Sequence, residues 1–122
     1  MEKEVDVLSF CKKIEELTLQ EKCDWKETSE RNRYKLKMKT GAVEIFHYEP
    51  NQFDIINLPR YEMSFFDSSQ YRFASYESTN SHSEQYKIFE SLYSTVVSFL
   101  EKIKQRKIAI MLDELESSEK KP

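Results

Sequence analysis

The sequence contains a single glycine, Gly41, among its 122 residues. Loops that cradle phosphate groups or dinucleotides need several closely spaced glycines, because these let the backbone turn tightly and approach the ligand. The chain therefore cannot form a glycine-rich phosphate loop, and nucleotide-binding folds of the Rossmann or P-loop kind are excluded.

Cysteine and histidine are also scarce, and the chain has only Cys11, Cys23, His47 and His82. Their spacing matches no C-x-x-C or H-x-x-x-H metal motif. Two such cysteines are typical of reduced thiols in a cytoplasmic protein, and Cys11 falls on a buried helical stripe, which does not suit a nucleophile. We expect His47 to be structural rather than catalytic. The sequence therefore predicts no catalytic residue, no metal and no cofactor.

No apolar run approaches the length of a membrane span, and the start of the chain has no signal-peptide pattern. The net charge is −3, which argues against broad attraction to nucleic acid or to an anionic membrane. We therefore expect a cytoplasmic protein that is not an enzyme, has no membrane partner and does not favour nucleic acid.

Two segments have the periodicity of amphipathic helices. The first covers about residues 2–20. The second begins at a capping box formed by Ser81 and Glu84 and continues as a long C-terminal helix. The domain is predicted to span residues 1–115, and the charged residues 116–122 are predicted to form a disordered tail.

The segment RYKLKMKTGAVEIFHY predicts a β-hairpin, because apolar and charged residues alternate along it. A turn at Thr40 and Gly41 places Leu36 opposite Ile45, whereas a three-residue loop places Leu36 opposite Glu44. The first register is preferred because it separates the two faces of the hairpin.

A second hairpin is predicted around residues 67–70, with Phe66 opposite Tyr71 and Met63 opposite Ala74. The connector after the first helix leaves room for a short strand around Trp25, which we expect to be a core residue. The predicted fold is therefore α+β, with a four-stranded antiparallel sheet made of two hairpins, an N-terminal helix and a long C-terminal helix.

One face of the predicted sheet is unusually rich in aromatic residues for a face exposed to water. Either the apolar residues of the 50–59 loop, a second copy of the chain or a ligand covers it. Basic residues share this face, so single-stranded nucleic acid is a further alternative. The predicted ligand or partner face consists of Phe46, Tyr48, Phe53, Ile55, Phe66, Tyr71 and Phe73.

The end of the long helix has a second apolar stripe, rotated by about 100° from the stripe that faces the sheet. It consists of Ile108, Met111, Leu112 and Leu115. A helix that packs on one sheet needs one stripe only, so we expect these residues to form a homodimer interface. The alternative is a bend at residues 104–107 that returns the segment to its own domain.

The region CDWKETSERNRYKLKMKTGAVEIF resembles small uncharacterised bacterial or phage proteins with a leading helix, four strands and a final helix. The matching positions are Trp25, Thr28, Ser29, Tyr34, Val43 and Ile45. This resemblance implies no activity, cofactor or site.

The most favoured function is therefore a non-catalytic interaction or regulatory module that acts as a homodimer, with an unidentified protein as a possible further partner. Binding of a small molecule between the aromatic face and the 50–59 loop is the alternative.

Overall fold

The structure is a computed structural model, and it describes residues 6–49 and 60–119. Its helices and strands follow the chain as α1 (Val7–Leu19), β1 (Trp25–Glu27), β2 (Arg33–Lys37), β3 (Gly41–Tyr48), β4 (Arg60–Asp67), β5 (Arg72–Ser78) and α2 (Glu84–Glu119). The strands form one antiparallel sheet in the order β1-β2-β3-β4-β5. The α+β class and the two flanking helices are confirmed.

The prediction of four strands is wrong, because the short segment around Trp25, where the sequence left room for a strand, is β1 and adds a fifth strand at the edge of the sheet. β1 has only three residues, so an alternation of apolar and polar positions cannot stand out in its sequence. Its pairing with β2 places Trp25 opposite Leu36.

Both helices pack on the same face of the sheet, and the hydrophobic core lies between them and that face. Trp25 is fully buried, as expected. Its indole Nε1 donates a hydrogen bond of 2.9 Å to Thr18 Oγ1 on α1. The core side chains of the sheet are Trp25, Leu36, Val43, Ile45, Tyr61 and Met63, and those of α2 are Tyr86, Phe89, Leu92, Val96 and Phe99.

The register of the first hairpin differs from the prediction by two residues, because Leu36 lies opposite Val43 and not Ile45. The Met38 N–H donates to the Gly41 carbonyl oxygen at 2.7 Å, so Lys39 and Thr40 form the turn. A shift of two residues preserves the side of the sheet on which each side chain lies. The predicted separation of faces is therefore correct, although the predicted partners are wrong.

Gly41 is required by a close approach and not by the turn, since its φ is not positive. Gly41 pairs with Asp67 at the end of β4. A Cβ atom at position 41 would fall far inside van der Waals contact of the Phe66 carbonyl oxygen.

The second hairpin contains an irregularity that the sequence did not predict. Phe66 lies opposite Arg72 and Phe65 opposite Ala74, so Phe73 is an extra, unpaired residue in β5. The predicted pairs of Phe66 with Tyr71 and of Met63 with Ala74 are therefore wrong. A β-bulge of this kind bends the strand and changes where its side chains point.

The helix termini also differ in detail from the prediction. The N-cap of α1 is Asp6, whose carboxylate accepts a hydrogen bond from the Leu8 N–H. α2 begins at Glu84, and Ser83 Oγ, not Ser81, accepts from the N–H of Tyr86 at 3.1 Å. α2 is continuous to Glu119 and so extends beyond residue 116, where the tail was predicted to begin.

Candidate functional site

The C-terminal half of α2 projects away from the rest of the structure. All residues from 104 to 119 are exposed, whereas the earlier part of the helix contributes buried side chains from Tyr86 to Phe99. These sixteen residues correspond to about 24 Å of helix. We call residues 104–119 the projecting segment. The alternative of a bend at 104–107 that returns the chain to its own domain does not occur, because α2 is uninterrupted and every residue from 104 to 119 is exposed.

Four apolar side chains form a stripe along the projecting segment. Ile108, Met111, Leu112 and Leu115 are 56%, 63%, 51% and 65% exposed. Their spacing of three and four residues places them on one side of the helix. Ile110 is 67% exposed but lies on the opposite side. The four residues predicted as an oligomer interface are therefore brought together on an accessible surface, which we call the apolar stripe.

Two ion pairs support α2 where it leaves the domain. Lys104 Nζ lies 2.7 Å from Glu27 Oε1 at the end of β1. Arg106 Nη1 lies 2.6 Å from Glu21 Oε1, just after α1. All four side chains are substantially exposed, so we expect each pair to orient the helix more than it stabilises the fold.

The charges of the projecting segment are divided along its length. The basic residues precede the apolar stripe, and the acidic residues begin within it and continue to the end of the helix. Among the described residues, the four acidic side chains make no ion pair. They are Asp113, Glu114, Glu116 and Glu119.

The face of the sheet that carries neither helix is a second candidate surface, which we call the open face. Its aromatic rings are covered in part by cations from neighbouring strands. The Arg33 guanidinium lies 4.4 Å from the centre of the Phe46 ring, and Arg60 lies 4.1 Å from that of Tyr48. These contacts explain how aromatic residues are tolerated there, since cations are attracted to ring faces and shield them from water.

The remaining members of the predicted aromatic face are not all on the open face. Phe46, Tyr48 and Phe66 lie there, and Tyr71 is 70% exposed next to the β4–β5 turn. Phe73 instead lies on the helix-facing side, where its ring centre is 6.4 Å from that of Phe65. The β-bulge causes this change of side. Phe53 and Ile55 lie outside the described residues.

A groove of about 560 Å³ crosses the open face near the β2–β3 and β4–β5 turns. Phe66 and Ala42 contribute apolar surface to it, and the ammonium group of Lys35 lies 5.6 Å from the centre of the Phe66 ring. The other basic residues that line it are Lys26, Lys37 and Lys39.

The carboxylates that line this groove already have partners. Glu27 pairs with Lys104, and Glu44 Oε1 lies 3.1 Å from Arg33 Nη1. The carboxylate of Asp67 accepts hydrogen bonds from two backbone N–H groups. Lys35, Lys37 and Lys39 make no ion pair with any described residue. The groove therefore has uncompensated positive charge.

The rings of His47, Tyr61 and Tyr93 form an aromatic cluster that the sequence did not predict. The His47 ring stacks on Tyr61 with centres 4.6 Å apart, and the edge of Tyr93 approaches it at 5.1 Å. His47 Nε2 is buried and has no hydrogen-bond partner among the described residues. The expected structural role is consistent with this packing.

Burial controls the protonation of this cluster. It lowers the pKa of His47 below its ordinary value, although the carboxylates of Glu49 and Glu90 act in the opposite direction. Burial also raises the pKa of Tyr61 to about 12. The ring of His47 is therefore favoured in its neutral form, and the tyrosine hydroxyl stays protonated.

Cys11 and Cys23 are both free and buried in the structure. Burial, together with the charges of Asp6 and Glu15, raises the pKa of the Cys11 thiol to about 12. Such a thiol is a poor nucleophile. The described residues contain no group of three or more histidine, cysteine and acidic side chains suited to a metal ion.

Comparison of the chain with protein-family models, with curated proteins and with solved structures gives no match. Among residues 6–49 and 60–119, no helix is long and apolar enough to cross a lipid bilayer.

Proposed function

We propose that this protein is a non-catalytic interaction module that acts as a homodimer through the projecting segment of α2. The observation that carries this proposal is the apolar stripe, whose four side chains are each more than half exposed. Contiguous apolar surface on a soluble domain is typical of an interaction site.

The low stability of an isolated helix in water indicates that a partner covers the projecting segment. A helix of about this length is marginal in water by itself, because most helical stability in proteins comes from packing of an apolar face. The projecting segment continues a well-packed helix, yet no described element covers its own stripe. A second copy would cover it with the same surface, as in two-fold dimers.

The test is the oligomeric state of the full chain, measured by native mass spectrometry and by light scattering over a concentration series. We expect a dimer that Leu112→Glu converts to a monomer, because a carboxylate would have to be buried at the centre of the interface. Ile110→Glu is the matched control, since it changes another exposed apolar residue, on the opposite side of the helix. It should leave the dimer intact.

Two results would refute the proposal. One is a full chain that remains monomeric throughout the concentration series. The other is a chain truncated after Lys107 that keeps the oligomeric state of the full protein, because the dimer would then form elsewhere.

A second candidate function is the binding of a small anionic molecule in the groove of the open face. The uncompensated lysines around Phe66 favour it, because they offer positive charge beside an apolar ring. An extended nucleic-acid strand fits less well, since Arg33, Arg60 and Arg72 on the same face are already paired with carboxylates.

Native mass spectrometry of gently purified protein also tests this second candidate. We expect a bound anion that is lost in the Lys35→Glu/Lys37→Glu variant. Lys87→Glu, an exposed change on α2, is the control and should retain it. A wild-type protein without added mass would argue against this function.

A further inference from the structure

We infer that the two copies of the proposed homodimer pair their projecting segments in antiparallel orientation, with the crossing near Met111 and Leu112. This inference rests on the proposed function and specifies the partner surface that the apolar stripe fits, namely the same stripe reversed.

The spacing of the apolar stripe supports this orientation. Ile108 and Leu115 are equally far from the midpoint between Met111 and Leu112. An antiparallel pair centred on that midpoint therefore brings Ile108 beside the partner's Leu115, and it does so twice by symmetry. All four apolar residues of each copy are then covered by apolar residues of the other.

The division of charge supports the same orientation more strongly. The three basic residues of the projecting segment precede the apolar stripe, and its four acidic residues lie within and after it. In a parallel pair, each group would lie beside residues of the same charge. In an antiparallel pair, each basic half lies beside an acidic half, and like-charge contacts are avoided. The basic residues are Lys104, Arg106 and Lys107, of which the first two also pair with Glu27 and Glu21 of their own chain, and the acidic ones are Asp113, Glu114, Glu116 and Glu119.

Lys107 and Glu114 are the pair most directly determined by this geometry. They immediately precede Ile108 and Leu115, so both lie on the same edge of the apolar stripe. A two-fold axis perpendicular to the helices places equivalent edges side by side, and Lys107 then approaches the partner's Glu114. Neither side chain makes an ion pair with the described residues of its own chain.

The dipole of α2 adds a further argument. Within the described part of the chain, the last turn of α2 contains no basic residue, although cations are favoured at the C-terminal end of a helix. Glu116 and Glu119 lie instead near the negative end of the dipole. An antiparallel partner brings its basic residues towards this end and offsets the unfavourable charge. Lys120 and Lys121 follow in the sequence, outside the described residues.

Disulfide crosslinking tests the orientation. In the antiparallel pair, the two copies of residue 115 are separated by about 10 Å along the helix axis, since each residue advances about 1.5 Å. A disulfide spans Cα atoms about 4.4–6.8 Å apart. Under mild oxidation we expect no crosslink in Leu115→Cys alone, and a crosslink when Leu115→Cys and Ile108→Cys chains are mixed. The native Cys11 and Cys23 are buried and do not compete.

The results of crosslinking test the antiparallel orientation separately from the existence of the dimer. A dimer in which Leu115→Cys crosslinks to itself, and the mixed chains do not crosslink to each other, would be parallel. That result would overturn the orientation but leave the proposed function standing. A monomeric full chain would remove both.

A charge exchange gives an independent readout. Lys107→Glu and Glu114→Lys should each raise the dimer dissociation constant by a few-fold to about tenfold, since each pair occurs twice. The double variant should restore the wild-type constant. Lys87→Glu, on the part of α2 that packs on the domain, is the control and should change nothing. A double variant that binds as weakly as the single variants would contradict the antiparallel contact.

Discussion

The indole Nε1 of Trp25 donates a hydrogen bond of 2.9 Å to Thr18 Oγ1, and this hydroxyl donates in turn to the Ile14 carbonyl oxygen at 2.7 Å. The two bonds connect the edge strand β1 to the C-terminal part of α1. Both Trp25 and Thr18 are fully buried, so neither polar group can use water instead. The pair therefore fixes the position of α1 on the sheet.

Thr18→Val should lower the free energy of unfolding by about 1–3 kcal/mol, because it removes the acceptor and leaves the Trp25 N–H buried without a partner. Valine has nearly the same shape as threonine, so loss of packing contributes little. Urea denaturation followed by tryptophan fluorescence measures the change. Thr79→Val, at an exposed position, should stay within about 0.5 kcal/mol. Equal effects in the two variants would contradict the role of the bond.

Gly41→Ala should destabilise the protein by about 1–3 kcal/mol, because the added Cβ meets the Phe66 carbonyl oxygen and forces β3 and β4 apart. The direction of the change in stability is informative, since Gly→Ala substitutions at unstrained positions usually stabilise a protein by restricting the unfolded chain. Thermal unfolding measured by circular dichroism tests this expectation. Thr40→Ala, one residue earlier in an exposed turn, provides the control. A Gly41→Ala protein with an increased melting temperature would show that the strands can yield.

The stability of the protein should fall as the pH is lowered through about 6.5, the ordinary pKa of histidine. Burial lowers the pKa of His47 in the folded state, so below pH 6.5 the unfolded chain binds a proton that the folded chain does not. The associated stability is fully present above this pH and is lost on acidification, with a slope of at most about 1.4 kcal/mol per pH unit for one proton.

His47→Phe isolates this contribution, because phenylalanine keeps a ring beside Tyr61 but does not titrate. Urea denaturation between neutral and mildly acidic pH should show a smaller loss of stability in this variant than in the wild type. His82→Phe, at an exposed position in the turn before α2, should behave as the wild type. Identical pH profiles for the wild type and His47→Phe would mean that folding does not lower the pKa of His47.

The elements with long, regular patterns were the ones that the sequence predicted correctly. The stripe of α1 and the long stripe of α2 repeat over several turns, so both helices were recognised despite errors of a few residues at their starts. In the first hairpin, the register error of two residues did not disturb the assignment of faces. Side-chain direction has a period of two along a strand, so an even shift cannot be seen in the pattern.

The errors occur where a long-range contact decides a local structure. β1 is a strand because its backbone pairs with β2, and three residues carry too little pattern to show it. The bulge at Phe73 depends on how β5 pairs with β4 beyond the turn, and it moves one predicted aromatic residue to the other side of the sheet. The predicted cover of the open face by the 50–59 loop lies outside the described residues.

The sequence alone determined the class of fold, the absence of glycine-rich nucleotide loops and the existence of a second apolar stripe on α2. These depend on composition and on periodicity along one segment, which are local properties. Only the tertiary structure decided that α2 continues beyond the sheet with its end exposed, because the same stripe could have packed on its own domain after a bend. It also decided that the backbones of Gly41 and Phe66 lie in close contact, and that the Trp25 indole donates a hydrogen bond to Thr18. Such contacts depend on how distant segments approach each other, and no local pattern encodes that distance.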